Sequence, residues 1–579
     1  MKNAWAWIGA RSGDRRWSMV LSGAMALFYG WQSVKWATRN PYIVQDDVRQ
    51  HVFWAFRYLD PGLFPGDWIA DYYQSVAPLG YQWLYHGAAL LGWDPLTVSK
   101  YWPVILGLVT TALTWRVMIR LLPVPWVALL GCILVNQSLW MEDDLASSTP
   151  RAFATPLVLA VMDALLSRSL WGCLGAIALS GLFYPMVAVV AAAALAVNLG
   201  RRWWATRRGR SHPEALTPLD WRLAIGGIAM AVAVLLPELL TSSEFGPVIS
   251  RSQAAALPEF NFVGNEYGRS FFFHPNPLIF WLFAPRSGFL WVGFVPPIAL
   301  AALALPRWLS RPARARQFPL ASSLSPHFAM LGDWVWGGLG LFLAAHALLF
   351  RLYLPNRYGY VPLRVVLPVA GAIALGLWLD RQMQATQPQK PRWFWPLVSL
   401  VLSLSIVVPM VPNLAVSSQL QMEGRMAEVY EFLQKQPKDI LVVSLSKEAD
   451  FIPIFARRSI LASREFALPY HWGYYRVLRQ RIEDTIRAQY TSNLSEVKAF
   501  LRKYQVNFWL LEPWSLSKSD LADNTWLQQF QPLIQDVSNR LDRGEPPALE
   551  RAIAPCSVLE NKRLQLLDAR CILQLPSEP

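Results

Sequence analysis

Asp46 and Asp47 stand side by side in the stretch Asn40-Pro41-Tyr42-Ile43-Val44-Gln45-Asp46-Asp47-Val48-Arg49-Gln50-His51. Two adjacent carboxylates resist ionising together, so the pKa of one of them rises. A carboxylate shifted in that way suits a general base or a metal ligand. The same pair could do no more than cap a helix that begins near Val48, because Asp is a favoured N-cap residue.

Three further stretches gather residues with chemistry. Glu142, Asp143 and Asp144 precede Arg151 at the mouth of an apolar segment, so Arg151 faces either a phosphate or one of these acids across a cavity, unless the cluster serves only as caps. Residues 241–288 carry Arg251, Glu259, Asn261, Asn265, Glu266, Arg269, His274 and Arg286. The stretch Arg351 to Arg364 holds Arg357 and Arg364, with Pro355 and Pro362 arguing against a continuous helix there. Arginine makes planar, bidentate contacts to phosphate. The alternative for these two is snorkelling to lipid headgroups.

The elements that position these residues are spans. Of the 579 residues, 54% are hydrophobic and only 16% charged, against about 25% charged in ordinary soluble proteins. Tryptophan collects at membrane interfaces, and 29 are present. Apolar segments fall at roughly 17–36, 99–118, 123–140, 152–167, 170–184, 186–200, 221–240, 289–306, 332–350, 363–380 and 393–412, about eleven spans. Tyr81 to Trp93 is too short to cross and reads as an interface helix. Met1 to Trp17 lacks a small-residue cleavage pattern, which predicts a retained anchor with a cytoplasmic N-terminus.

Charge supports this layout. The net +14 arises from Arg and Lys clustered at 201–210, 307–316 and 381–392, which the positive-inside rule places in the cytoplasm. That topology accounts for the positive charge without a nucleic-acid partner. The acids, Asp46, Asp47 and Glu142 to Asp144 among them, then fall on the outer side. After Pro412 the composition turns polar, and helical patterns at 419–436, 471–490 and 494–504 alternate with β-like runs at 440–445, 460–462 and 506–511. This predicts an extracytoplasmic α/β domain over 413–579, following a membrane domain over 1–412 whose first outer loop covers 37–98. Cys556 and Cys571 could pair in an oxidising compartment, whereas Cys132 and Cys173 lie in apolar segments.

With the acids placed after the first span, the chain resembles the GT-C superfamily of integral-membrane glycosyltransferases, of the type that uses polyprenyl-phosphate sugars. Asp46-Asp47 matches the family's acidic motif, Tyr81 to Trp93 its interface helix, and 413–579 its terminal domain. The stretches Ser148 to Ala154 and Leu354 to Tyr358 look like those of bacterial proteins of this kind, while the usual proline-rich end of the first outer loop is only partly present as Ala77-Pro78-Leu79. The resemblance implies an inverting glycosyltransferase at the outer face of the bacterial inner membrane. It would move a hexosyl or pentosyl unit from a lipid-phosphate donor to an envelope glycan, lipid or protein. Asp46 or Asp47 would deprotonate the acceptor or bind a divalent metal. Arg357, Arg364 or Arg151 would neutralise the leaving phosphate, with His51 and His274 as secondary candidates. No nucleotide loop, dinucleotide fingerprint, GxSxG or zinc pattern occurs, so no nucleotide cofactor is expected. The rival readings are a secondary transporter or lipid flippase, which needs acids inside the spans, and an inactive scaffold for envelope assembly.

Overall fold

The computed structural model describes residues 12–208, 216–240, 243–263, 266–290, 296–311, 317–384 and 420–576, together with Leu397, Leu400 and Leu404. Apart from those three leucines, the span expected at 393–412 lies outside the described residues, as do the basic residues Arg210, Arg314, Arg316, Lys390 and Arg392.

The long helices are α1 (Ser12–Ala37), α2 (Pro95–Leu121), α3 (Pro125–Trp140), α4 (Ala154–Leu166), α5 (Leu170–Phe183), α6 (Pro185–Arg207), α7 (Pro218–Leu240), α8 (Met330–Ala347) and α9 (Asn356–Gln384). Five stretches, Pro95–Leu121, Pro185–Arg207, Pro218–Pro237, Pro326–Ala347 and Asn356–Gln382, are long and apolar enough to cross a bilayer. Pro125–Trp140, Leu170–Phe183 and Pro297–Leu309 are shorter apolar helices. At 1.5 Å per residue, α2 runs about 40 Å, more than the ~30 Å hydrocarbon thickness. Proline punctuates the bundle. It opens α2, α3, α6 and α7 at the first turn, where the missing N–H costs nothing. Of the segment expected at 289–306, the described residues from Pro297 on are helical, and Pro296 before them is extended.

The expectation for Pro355 and Pro362 is overturned. Helix α9 runs unbroken through Pro362 and Pro368. Pro362 leaves the Tyr358 carbonyl without its helical donor. Helix α8 closes against that spot through Gly338, where a Cβ would lie 2.5 Å from the Tyr358 carbonyl oxygen and 2.9 Å from the Pro362 ring. A neighbouring helix thus covers the gap, the usual way a membrane helix tolerates proline.

The first loop is held to the C-terminal part by a two-stranded antiparallel ribbon, β1 (Ile43–Gln45) with β2 (Gln421–Glu423). The C-terminal part is built on a five-stranded sheet of β3 (Leu441–Val443), β4 (Ser459–Ile460), β5 (Phe508–Leu511), β6 (Ser557–Asn561) and β7 (Leu564–Asp568), ordered β4-β3-β5-β7-β6. β3 is parallel to β4 and β5, and β7 pairs antiparallel with β5 and β6. Helices Trp472–Tyr490 and Leu494–Tyr504 bury apolar faces in the core. Cys556 and Cys571 are joined by a disulfide, and Cys132 and Cys173 are buried thiols.

Candidate active site

Asp46 and Asp47 follow β1 directly, so the ribbon fixes their backbone: the Asp46 N–H donates to the Leu420 carbonyl at 3.2 Å. Helix capping is not their role. Asp47 occupies the N-cap position of the short helix Val48–His51, yet its side chain makes no cap hydrogen bond. Gln45 does that work, its Oε1 accepting from the backbone N–H groups of Asp47 at 2.9 Å and Val48 at 3.3 Å. Other acids of the loop are structural. Asp67 caps Trp68–Ser75, Asp71 pairs with Arg57 at 2.7 Å, and Asp60 pairs with Lys438 at 2.6 Å.

Both freed carboxylates line a cavity of about 460 Å³ between the membrane part and the C-terminal part. His51, Arg151 and Arg357 line it as well. Seven cationic side chains face it, Arg49, Arg151, Arg269, Arg286, Arg357, Lys447 and Arg464, against four carboxylates, Asp46, Asp47, Asp450 and Glu465. That leaves an excess of three positive charges in the lining. Helix starts add to this field. The turn Pro150–Phe153 carries Arg151 into α4, Tyr184 stands before α6, and Arg357 is the second residue of α9. Three helix N-termini, each bearing partial positive charge, therefore abut the cavity.

The two acids are pushed apart electrically. Burial outweighs the other influences on Asp46, Glu465 adds to it, and together they raise its pKa against the pull of Arg49. For Asp47, burial is overcome by Arg151, then by His51, Arg357 and Arg269, and the pKa falls. Arg151 Nη2 donates to Asp47 at 2.6 Å and also bonds Asp143. Divergent pKa values in a carboxylate pair assign roles: the group held ionised stabilises charge, and the raised one exchanges protons. Burial lowers the pKa of His51 despite Asp47, so its imidazole is neutral at pH 7.

Arg49 is buried and bridges three acids, bonding Asp46, Glu465 at 3.1 Å and Asp450 at 3.6 Å. Arg269 reaches Glu465 at 3.4 Å and the Arg464 carbonyl at 3.0 Å. Arg357 lies 5.5 Å from the Tyr360 ring and has no ion pair among the described residues, and its buried Nε has no hydrogen-bond partner there. The buried Tyr470 hydroxyl, also in the lining, is likewise without a partner among the described residues.

Two expected residues lie elsewhere. Arg364 is buried and does not line the cavity; its Nη1 donates to the Ser138 carbonyl at 2.6 Å and the guanidinium meets Asp144 at 3.3 Å and Glu142 at 3.6 Å. It holds the second acidic loop, with Tyr360 also donating to Asp144. His274 sits among Phe262 and Phe271, its Nδ1 accepting from the Asn276 backbone at 3.0 Å, and it does not line the cavity. Among the described residues no group of three or more His, Cys, Asp or Glu is placed to hold a metal ion. Asp46 and Asp47 are each engaged by a guanidinium, which does not fit a metal centre built by the protein alone.

Sequence reasoning passed over Arg49, Lys447, Asp450, Arg464 and Glu465. The last four follow β3 and β4, at the carboxyl ends of parallel strands, where α/β sheets present their ligand sites. A run of charge directly after each apolar strand was the available signal.

No known family pattern and no curated protein matches the sequence. Solved structures do match in fold. The oligosaccharyltransferase of Archaeoglobus fulgidus, in complex with zinc and sulfate, superposes with a TM-score of 0.51 at 12% identity, over 88% of this chain and 70% of that one. The mycobacterial arabinofuranosyltransferase AftD gives 0.42 at 15% identity, over 86% of this chain and 35% of its own. The fold of this chain is thus similar to that of the archaeal oligosaccharyltransferase.

Proposed function

We propose that the protein is a membrane glycosyltransferase that moves a sugar from a lipid-phosphate donor to an envelope acceptor. The observation that carries this is the cavity itself: a split carboxylate pair, cations in excess of acids, and three helix N-termini around one void. Asp46, the acid with the raised pKa, takes the proton from an acceptor hydroxyl. The oxygen attacks the anomeric carbon, and the bond from that carbon to the phosphate oxygen breaks. The electron pair leaves on the phosphate, whose charge Arg357 and Arg286 neutralise; among the described residues Arg286 is held by the carbonyls of Phe271 and Arg269, at 3.2 and 3.3 Å. Fixed cations in a site sheltered from water are worth more than in bulk solvent. Asp47, kept ionised by Arg151, orients that cation and faces positive charge developing on the sugar.

The cavity end lies at the outer face of a bacterial inner membrane, with the N-terminus in the cytoplasm. The disulfide suits an oxidising compartment, and the basic ends of α6 and α9 suit the cytoplasm. Cysteines placed at Ser519 and Ser310 test this, because only Ser519→Cys should react with an impermeant thiol reagent applied from outside. The transporter reading has less support. Asp163, Asp220 and Asp333 in the long helices are all engaged by arginines near helix ends.

Purified protein in lipid nanodiscs should release free polyprenyl phosphate from polyprenyl-phosphate sugars when envelope extract is supplied. No release from a panel of hexosyl and pentosyl donors would favour the scaffold reading.

A further inference from the structure

This inference rests on the glycosyl-transfer reading and concerns the acceptor. All four carboxylates in the cavity lining are already matched. Arg49 engages Asp46, Asp450 and Glu465, and Arg151 engages Asp47. Four cations there, Arg286, Arg357, Lys447 and Arg464, have no ion pair among the described residues.

These four divide by origin. Arg286 and Arg357 come from the membrane part. Both act on Tyr353, and Arg357 acts on Asp47. Lys447 and Arg464 come from the C-terminal part, in the segments that follow β3 and β4. The Glu465 N–H donates to Asp450 at 3.0 Å and so ties those two segments together. Arg464 lies within electrostatic reach of Asp46, Asp450 and Glu465. Its Nε is buried and has no hydrogen-bond partner among the described residues. Burial, then Arg269, lowers its pKa, and the pull of Asp450, Glu465 and Asp46 does not offset them.

Two guanidinium groups offer enough N–H donors for the three oxygens of a single leaving phosphate, so one such pair suffices for it. The other pair stands on the Asp46 side, where the accepting hydroxyl must come. For Arg464, whose Nε is buried without a partner among the described residues, an unmatched charge is costly, and a ligand that supplies the counter-charge removes that cost, with the exposed Lys447 adding to the attraction. We infer that Arg464 and Lys447 form a second anion subsite, and that the acceptor is an alcohol bearing a phosphate or carboxylate close to the hydroxyl that Asp46 deprotonates. The C-terminal part then selects the acceptor, while the membrane part holds the donor.

The test uses the full chain in nanodiscs, with a polyprenyl monophosphate as donor-side probe. Glycerol phosphate and glucuronate serve as acceptor-side probes, and glycerol as the neutral control. With the lipid phosphate saturating, glycerol phosphate or glucuronate should still bind and glycerol should not. The Arg464→Gln, Lys447→Gln double variant should weaken the anionic probe at least about tenfold, the equivalent of one lost charge-assisted hydrogen bond. Its affinity for lipid phosphate should change less than about twofold, which also shows that it folds. Lys447→Gln alone, at an exposed position, should show the same direction with a smaller effect. If saturating lipid phosphate displaces the anions completely, or if the double variant binds them as the unaltered protein does, the second subsite is overturned and the glycosyl-transfer reading stands. If lipid phosphate itself fails to bind the unaltered protein, the glycosyl-transfer reading falls instead.

Discussion

The two ends of the helix bundle use the same chemistry to different effect. At the end away from the cavity, Arg168 and Arg202 grip Asp220 at 3.1 and 3.0 Å, Arg201 grips Asp333 at 2.7 Å, and Arg116 grips Asp163 at 2.7 Å. The void among Arg168, Arg202 and Asp220 measures only about 50 Å³, a few waters at most. At the other end arginines and acids again interleave, but around about 460 Å³, with cations left over. Ion pairs alone do not mark a site. Unmatched charge beside a void large enough for a sugar and a phosphate does.

Substitutions at the two ends should therefore separate. The largest effect belongs to Asp46→Asn, which removes the base and little volume; turnover should fall roughly 10²–10⁴-fold, the range of general-base catalysis. Equal turnover would reduce Asp46 to an anchor for Arg49. Next comes Arg357→Lys, which should cost about ten- to a hundredfold in donor use, or about 1.5–3 kcal/mol, because lysine cannot make the planar pair. Arg364→Lys is its control. With its side chain locked on Glu142 and Asp144, it should alter thermal stability and leave donor affinity alone. An equal donor defect in both variants would erase the distinction between a residue that lines the cavity and one that does not.

A smaller effect is expected in the pH profile. A base works only when ionised, and the pKa of Asp46 is raised, so activity should fall on acidification at a pH above the ordinary carboxylate value. Glu465 is one cause of that rise. Glu465→Gln should shift the acidic limb to lower pH. A limb that stays put would mean another group limits the rate. Smallest of all, Asp333→Asn at the far end should lower the melting temperature and leave turnover per folded molecule unchanged, because Asp333 meets Arg201 and Asn198 and no part of the cavity.

The legible part of the site was the local part. Asp46 and Asp47 stood out because they follow an apolar segment, and Arg151 because it shares a short loop with three acids. Arg357 and Arg364 looked alike in sequence, but seven residues along a helix is about 10 Å. One therefore lines the cavity and the other does not. That difference depends on α9 staying helical through Pro362, which in turn depends on Gly338 of a helix distant in sequence. Arg464 and Glu465 could not be placed from sequence, because the ribbon of β1 with β2 joins positions nearly 400 residues apart before they meet Asp46. Helices Trp472–Tyr490 and Leu494–Tyr504 were read closely because their amphipathic periodicity is strong. The final hairpin, β6 and β7, was missed, its alternation blurred by a bulge near Ser557.

The most direct measurement is a structure of the protein in nanodiscs with a polyprenyl phosphate bound. The account predicts the phosphate in the cavity, within hydrogen-bond distance of Arg357 and Arg286, with Asp46 open toward the C-terminal part. A phosphate lying at the lipid rim, away from Arg357 and the two acids, would contradict it.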